Sequence, residues 1–299
     1  MHPLLTPLTR SERESRDRIR AHVRTLAIDI GGRDAVFYSG LQKAARYIET
    51  ELRAYGYSPE RQFFPVNGIQ FENIDTEQTG TANPKSIVVV GAHYDTAGGL
   101  PGANDNASGV AVGLEIARKF ATGKRNKSIR YAFFANEEPP YFQTPGMGSY
   151  VYAKRCHQHH DNIVAMLSLE TIGYYSDEPG SQKYPIGLHP GYPDRGNFLG
   201  FVADFRSAGL LRAALKSFRH ATPLPAEGLA APVFIPGIGW SDHWAFWQFG
   251  YKAFMLTDTA PYRYPYYHTA QDTPEKLDYD RLTRAFTGIT AIVEDLASN

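Results

Sequence analysis

Polar residues that can bind a metal ion or move a proton follow several apolar runs of this sequence. They are His93, Asp95, Asp105, Glu137, Glu138, Glu170, Asp258 and His268. Ligands of open α/β sheets bind outside the carboxyl ends of the strands, so we expect these side chains to gather at one sheet edge. Clustered carboxylates repel one another, and one or two divalent cations would offset that repulsion. Imidazole together with carboxylate suits zinc, with cobalt or manganese as alternatives.

Each of these residues has a simpler interpretation when it is taken alone. Asp105 could cap the helix that is predicted to follow it. His93 could be a loop histidine, and His268 could lie in a surface turn. Glu137 and Glu138 could be a solvated pair. Because such residues recur after one apolar run after another, the pattern as a whole favours a metal site.

The elements that must position these residues can be predicted from the apolar patterns. Continuous apolar runs predict four strands, at residues 86–92, 129–135, 163–169 and 252–257. Runs without alternation are typical of strands covered on both faces. Helices are predicted at about residues 10–27, 38–55, 107–122, 148–157, 206–220, 241–249 and 279–297. Strands alternating with helices predict the α/β class, here a three-layer α/β/α sandwich with a mixed, mostly parallel central sheet.

The sequence predicts one domain that spans residues 1–299. Within it, residues 1–35 are predicted to form a helical N-terminal extension. Residues 173–240 are rich in Gly, Pro and Tyr, and we expect a loop-rich insertion with one helix near the site, not a separate domain.

The overall composition excludes several classes of protein. Lys+Arg and Asp+Glu both number 31, and this balance argues against a nucleic-acid-binding protein. No apolar run reaches the roughly 20 residues that a membrane-spanning helix needs. The N-terminal residues do not resemble a secretory signal, so we expect a cytoplasmic protein, or a secreted or periplasmic one if a signal was removed. A single cysteine excludes an internal disulfide. The oligomeric state is left open.

The chemistry-bearing residues, in their order and spacing, resemble the co-catalytic zinc aminopeptidase family, which includes bacterial leucyl aminopeptidases, glutamate carboxypeptidase and glutaminyl cyclases. The resemblance covers about residues 36–297 and rests on His93, Asp95, Asp105 within NDNASG, Glu137, Glu138, Glu170 and His268. It implies a zinc-exopeptidase fold of the phosphorylase/hydrolase-like kind and two zinc ions per chain. Asp105 would bridge the ions. His93 and Glu170 would complete the ligands of one ion, and Glu138 and His268 those of the other.

The resemblance also implies roles for residues beside the metal ligands. Glu137 would be the general base that deprotonates a water shared by the two ions. Asp95 would orient His93 through the ring nitrogen that faces away from the metal. Tyr267 would donate a hydrogen bond to the oxyanion, although it could equally be one of several rings that pack a loop.

Two further features concern the metal ligands themselves. The resemblance implies a cis peptide bond between Asp105 and Asn106. Many family members have aspartate at the position of Glu170, so the longer glutamate side chain is a departure from the common pattern.

The segment GWSDHWAFW is a candidate for substrate contacts, because its Ser-Asp-His stretch lies beside the substrate pocket in relatives. Trp240, Asp242 and His243 are the predicted substrate-binding residues. Trp240, Trp244 and Trp247 could instead form a core stripe at helical spacing, and we expect two of the three to be core residues.

The predicted function is a zinc-dependent metallo-exopeptidase, an aminopeptidase that hydrolyses N-terminal residues from peptides. Two alternatives stay open, namely a glutaminyl-cyclase-like acyltransferase with one zinc ion and a non-catalytic binding module. His93 and NDNASG favour the two-metal peptidase over the cyclase. The presence of every ligand and of Glu137 argues against a relative that has lost its metals.

Overall fold

An eight-stranded sheet runs through the centre of the protein. The computed structural model describes residues 6–185 and 191–298. The strands are β1 Glu60–Val66, β2 Ile69–Gln78, β3 Asn83–His93, β4 Lys127–Phe134, β5 Asn162–Glu170, β6 Leu199–Ala203, β7 Ala226–Ala230 and β8 Ala253–Thr257. Their order across the sheet is β1-β2-β4-β3-β5-β8-β6-β7.

The four neighbouring strands β4, β3, β5 and β8 are parallel, so their carboxyl ends meet at one edge of the sheet. On either side of them the direction reverses, because β2 pairs with β4 and β6 pairs with β8 in antiparallel fashion. The sheet is therefore mixed and mostly parallel, as predicted.

Helices cover both faces of the sheet. They are α1 Arg10–Arg24, α2 Tyr38–Ala54, α3 Gly109–Phe120, α4 Gly148–Gln158, α5 Ala208–Ala221, α6 His243–Gln248, α7 Ala260–Arg263 and α8 Tyr279–Ser298. On β3, Val88 and Val90 face the core that contains α2, α3, α5 and α8, whereas Ile87 and Val89 face the core with α4 and α6. Because successive strand residues point to opposite faces, a continuous apolar run fits a strand between two helical layers. The predicted three-layer sandwich is confirmed.

The N-terminal helix begins at a well-formed cap. Thr9 accepts a hydrogen bond from the backbone of Glu12, and the Glu12 carboxylate accepts one from the backbone of Thr9, which is a capping box. Ile19 and Val23 on α1 are fully buried, and α1 packs against α3 and α8. The N-terminal segment is therefore integrated into one helical layer of the sandwich.

Four strands were missed by the sequence analysis. β1 and β2 carry many charged and polar residues, and β6 and β7 have only five residues each. The stretch 173–240 thus contains two strands as well as the predicted helix, and it extends the sheet where loops were expected. Within the described residues, no helix is both long and apolar enough to cross a bilayer.

Candidate active site

The side chains predicted to carry the chemistry meet at the carboxyl edge of the parallel strands. His93 is the last residue of β3, and Glu170 is the last residue of β5. Glu137 and Glu138 follow β4 in the sequence. Between them and the strand, Asn136 has a positive φ of 59°, and the chain turns out of the strand there. Each of these ligand-type side chains is therefore placed by the end of a buried strand.

Three of these side chains form a first compact group. The Nε2 atom of His93 lies 3.2 Å from Oε2 of Glu170 and 3.4 Å from Oδ1 of Asp105. One donor atom from each residue lies within 4.8 Å of the others, a spacing that could hold one metal ion. All three residues are buried.

A second compact group shares one residue with the first. The Nε2 atom of His268 lies 3.0 Å from Oδ2 of Asp105 and 3.1 Å from Oε1 of Glu138. Asp105 thus directs one oxygen to each group, which is the arrangement that a bridging carboxylate needs. These are the five residues predicted as metal ligands, in the predicted two sets.

The polar atoms of both groups fit a pair of divalent cations. Within the described residues, neither oxygen of Asp105 and neither ring nitrogen of His93 has a hydrogen-bond partner, although all are buried. A buried polar atom without a partner is costly, and a metal ion would satisfy these atoms. Imidazole nitrogens and carboxylate oxygens are a suitable donor set for zinc.

The pKa values show how crowded the negative charges are. Burial, together with the charge of Asp105, raises the pKa of Glu138 to about 8. Burial opposes protonation of His93, yet the carboxylates of Glu170 and Glu137 raise its pKa well above the ordinary value. The centre therefore favours added positive charge, which protons or metal ions could supply.

Glu137 lies beside the first group without belonging to it. Its Oε2 atom is 3.9 Å from Nε2 of His93, and its side chain is buried. Burial raises the pKa of Glu137 well above its usual range, with the charges of Glu170 and Glu138 adding to the effect and that of His93 opposing it. A carboxyl group with a raised pKa next to a metal site suits proton transfer.

Asp95 contacts the ring of His93 and the backbone of the acidic pair Glu137 and Glu138. Its Oδ1 atom lies 3.5 Å from Nδ1 of His93, the nitrogen that the resemblance assigned to it. Its two oxygens also accept hydrogen bonds from the backbone N–H groups of Glu137 and Glu138, each at 3.1 Å. Asp95 therefore connects the end of β3 to the segment that carries the acidic pair, which the sequence analysis did not predict.

The backbone around Asp105 is held by residues that sequence reasoning missed. Asp272 accepts hydrogen bonds from the backbone N–H groups of Asn104 at 2.8 Å and Asp105 at 3.1 Å. The side-chain amide of Asn106 donates a hydrogen bond through Nδ2 to the backbone carbonyl of Leu169 at 2.8 Å. The peptide bond between Asp105 and Asn106 is cis, as the resemblance implied.

Glu170 has a hydrogen-bond donor that holds its longer side chain. The hydroxyl of Ser241 lies 2.7 Å from Oε2 of Glu170. Ser241 belongs to the GWSDHWAFW segment, so this segment contacts the first ligand-type group through its serine.

A cavity of about 820 Å³, counted with its open mouth, lies next to Glu170 and Tyr267. Gly200 on β6 lines it between Glu227 and Thr257, its partners on the two adjacent strands. Other lining residues are mostly apolar or aromatic, among them Tyr184, Phe198, Trp240, Met255 and Tyr262. Trp240 and Tyr267 therefore lie where a substrate side chain could contact them.

The other two predicted substrate-binding residues, Asp242 and His243, are buried in the protein interior. His243 is fully buried, its Nε2 atom is 2.8 Å from the carbonyl of Ile238, and its ring contacts Trp247 edge-on. It packs in the interior instead of lining the cavity, which argues against the predicted substrate contact. Asp242 is also fully buried, near Glu137. Trp247 is buried and Trp244 partly buried, as the core interpretation predicted.

An α/β sheet that gathers imidazole and carboxylate groups at its carboxyl edge suits a metal-dependent enzyme. The sequence profile described as peptidase family M28 matches residues 73–293, and the chain belongs to this family. Uncharacterized protein YfbL of Escherichia coli (strain K12) is 33% identical over 288 residues, which cover 93% of this chain and 88% of that protein. A probable zinc metalloprotease of Pyrenophora tritici-repentis (strain Pt-1C-BFP) is 35% identical over 130 residues, 41% of this chain and 28% of that protein.

Solved structures share the fold at low sequence identity. A zinc aminopeptidase from Bacillus subtilis, BSAP, has a TM-score of 0.76 at 16% identity, with 95% of each chain covered. A glutaminyl cyclase from Fimbriiglobus ruber has a TM-score of 0.67 at 18% identity, with 98% of this chain and 97% of that chain covered. Both peptidases and cyclases are thus built on this fold, and the side chains of the site must distinguish them.

Proposed function

We propose that this M28 peptidase is an aminopeptidase that uses two zinc ions to remove the N-terminal residue of a peptide. The observation that carries the proposal is the pair of ligand groups that share Asp105. The first would be completed by His93 and Glu170, and the second by Glu138 and His268. When bound, zinc supplies Lewis acidity, which polarises a carbonyl oxygen and makes water easier to deprotonate.

The residues beside the ligand groups supply the proton transfers. Glu137 is close to the first group but is free of both, so its carboxylate accepts a proton from the attacking water and passes it to the leaving amine. Asp95 holds the backbone of Glu137 in place through the 3.1 Å hydrogen bond to its N–H. This contact restrains the backbone from which the base projects.

Tyr267 is the proposed donor to the developing oxyanion. Its ring stacks on the ring of His268, with 3.9 Å between centroids, and it lines the cavity next to Glu170. Burial raises the pKa of Tyr267 well above its usual value, so the hydroxyl keeps its proton at neutral pH and can donate it in a hydrogen bond.

Two properties of the site favour the N-terminal end of a peptide. Two carboxyl groups that belong to neither ligand group, Glu137 and Asp242, would leave negative charge beside the bound zinc ions, which attracts a cationic α-amine and repels a C-terminal carboxylate. The cavity beside Glu170 gives one substrate side chain a place next to the metal groups. A peptide would therefore enter amine first, with its first side chain in the cavity.

The test is a mass-spectrometric analysis of a defined peptide mixture incubated with zinc-loaded protein. Loss of one N-terminal residue is expected, and it should stop with a chelator, with Glu137→Gln, or when the peptides carry an N-terminal acetyl group. Loss of ammonia from peptides that begin with glutamine would show a cyclase instead. Loss from the C-terminus would show a carboxypeptidase, and no change in any peptide would contradict the proposal.

A further inference from the structure

Arg33 is a fully buried guanidinium in the segment between α1 and α2. Within the described residues its side chain makes five hydrogen bonds, and each goes to a backbone carbonyl oxygen. An arginine offers five N–H donors in a fixed planar arrangement, so it can hold several backbone segments in a fixed relative position.

Three of these hydrogen bonds go to the loop between His93 and Asp105. Nε donates to the carbonyl of Tyr94 at 2.9 Å, Nη1 to that of Pro101 at 2.8 Å, and Nη2 to that of Gly102 at 3.1 Å. Tyr94 is next to both His93 and Asp95, and Gly102 is three residues before Asp105. Arg33 therefore fixes both ends of the loop that joins two predicted metal ligands.

Backbone contacts tighten the same junction. The N–H of Arg33 donates to the hydroxyl of Thr96 at 3.0 Å, and the N–H of Thr96 donates to the carbonyl of Arg33 at 2.9 Å. A Cβ atom added to Gly32 would lie 2.4 Å from the carbonyl oxygen of Gly99, so the two segments are in direct backbone contact. There is no room for the loop to shift toward the N-terminal segment.

The remaining hydrogen bonds anchor Arg33 in its own segment. Nη1 also donates to the carbonyl of Leu26 at 2.8 Å and to that of Gly31 at 2.9 Å. Leu26 is fully buried in the same core as α1 and α3. The guanidinium thus joins the metal-site loop to a part of the fold that is itself rigidly packed.

The positive charge of Arg33 lies near several carboxylates. Burial lowers its pKa to about 10, an effect that the carboxylates of Asp272, Asp95 and Asp105 oppose. The guanidinium is therefore protonated at neutral pH, and it contributes a fixed positive charge near the acidic centre.

We propose that Arg33 is a positioning residue of the metal centre, which holds the 94–102 loop so that His93, Asp95 and Asp105 meet their partners. Arg33 lies outside the 73–293 region that the family profile matches. The set of residues that positions the metal ligands therefore extends into the N-terminal segment. The inference rests on the metal-ligand roles of the proposed function.

The test measures zinc affinity by competition with a chromophoric chelator, first on the unaltered full-length protein. Zinc binding and peptide hydrolysis by that protein test the proposed function separately. Arg33→Met, which keeps the length of the side chain but removes all five donors, is then expected to weaken zinc binding at least tenfold. At saturating zinc, kcat should fall at least tenfold while KM changes less than about threefold.

Two milder variants keep the inference testable if Arg33→Met does not fold. In Arg33→Lys, an ammonium group with three donors replaces a guanidinium group with five. In Thr96→Val, the side-chain volume is similar, but the hydroxyl that accepts a hydrogen bond from the N–H of Arg33 is lost. Both are expected to weaken zinc binding by a smaller factor.

Arg284→Met is the matched control. Arg284 is also buried and donates to a backbone carbonyl, that of Thr6, but it lies on α8. Its replacement should lower the melting temperature while zinc affinity stays within about twofold of the unaltered protein. The inference is overturned if the Arg33 and Thr96 variants that fold keep the original zinc affinity, or if Arg284→Met loses as much.

Discussion

The hydroxyl of Ser241 bridges Glu170 and Ser168, with its Oγ atom 2.7 Å from the carboxylate of Glu170 and 2.9 Å from the hydroxyl of Ser168. Glutamate has one more rotatable bond than aspartate, so an unsupported glutamate side chain would lose more entropy on binding a metal ion. Ser241 restricts that freedom before any ion binds.

Removing this hydroxyl should weaken one of the two zinc positions. In Ser241→Ala we expect the zinc held by the His93 group to bind about tenfold more weakly, because Glu170 is no longer oriented. Chelator titration of the two zinc equivalents measures this. Ser128→Ala is the control, because Ser128 is equally buried but lies at the start of β4, away from the metal edge. Affinities for both zinc equivalents that match those of the unaltered protein would contradict the prediction.

Two carboxyl-to-amide substitutions should separate the base from the bridging ligand. Glu137→Gln is expected to lower kcat at least a thousandfold while both zinc ions remain bound, because Glu137 belongs to neither ligand group. Asp105→Asn should lose activity and zinc together, because Asp105 belongs to both. Zinc analysis of the purified variants and single-turnover kinetics measure the difference. Zinc loss from Glu137→Gln comparable to that from Asp105→Asn would show that the roles are assigned wrongly.

The central strands and the grouping of the ligand-type residues could be predicted, because both depend on short local patterns in the sequence. A continuous apolar run followed by His93 or Glu170 is visible in a few residues of sequence. The supporting contacts are different in kind. Ser241 reaches Glu170 across 71 residues, and Asp272 reaches Asn104 across 168. Such contacts depend on the completed fold, and no local pattern predicts them.

The missed strands have a related explanation. In β2, Glu72 and Asp75 are buried in the sheet, although charged residues argue against a strand. They are tolerated because arginines from neighbouring elements pair with them, Arg61 with Glu72 and Arg155 with Asp75. β7 is a five-residue edge strand, too short for its alternation to be recognised.

The depth of the cavity should depend on Gly200. A Cβ atom at this position would lie 3.2 Å from the carbonyl oxygen of Thr257 and 3.2 Å from Cγ2 of Thr259, so a side chain at position 200 would crowd two other residues that line the cavity. In Gly200→Val we expect kcat/KM for peptides that begin with phenylalanine to fall at least tenfold relative to those that begin with alanine. Alanine peptides serve as the internal control, and an unchanged ratio would mean that the first side chain binds elsewhere.

The interior histidine should make stability depend on pH. Burial lowers the pKa of His243 to about 4, so between pH 6.5 and 4 the unfolded chain binds a proton that the folded chain does not. The corresponding stability is complete above pH 6.5, is lost progressively down to pH 4, and amounts to about 3 kcal/mol.

Urea unfolding of the unaltered protein and of His243→Gln isolates this effect from the other titrating groups. Glutamine can keep a donor for the carbonyl of Ile238, to which His243 is bonded, but it does not titrate in this range. The difference in unfolding free energy between the two proteins should change between pH 6.5 and 4 and be constant above pH 7. A constant difference over the whole range would show that His243 is not held in its neutral form.

The floor of the cavity belongs to β6, β7 and β8, whereas most ligand-type side chains stand at the ends of β3, β4 and β5. The two parts meet at Glu170 and Tyr267. Apart from Glu170 and Tyr267, mutations of cavity residues need not disturb the proposed reacting groups, and mutations near the ligands need not alter which side chain is accepted. Substrate choice and hydrolytic power can evolve on this scaffold as separate traits, selected one at a time.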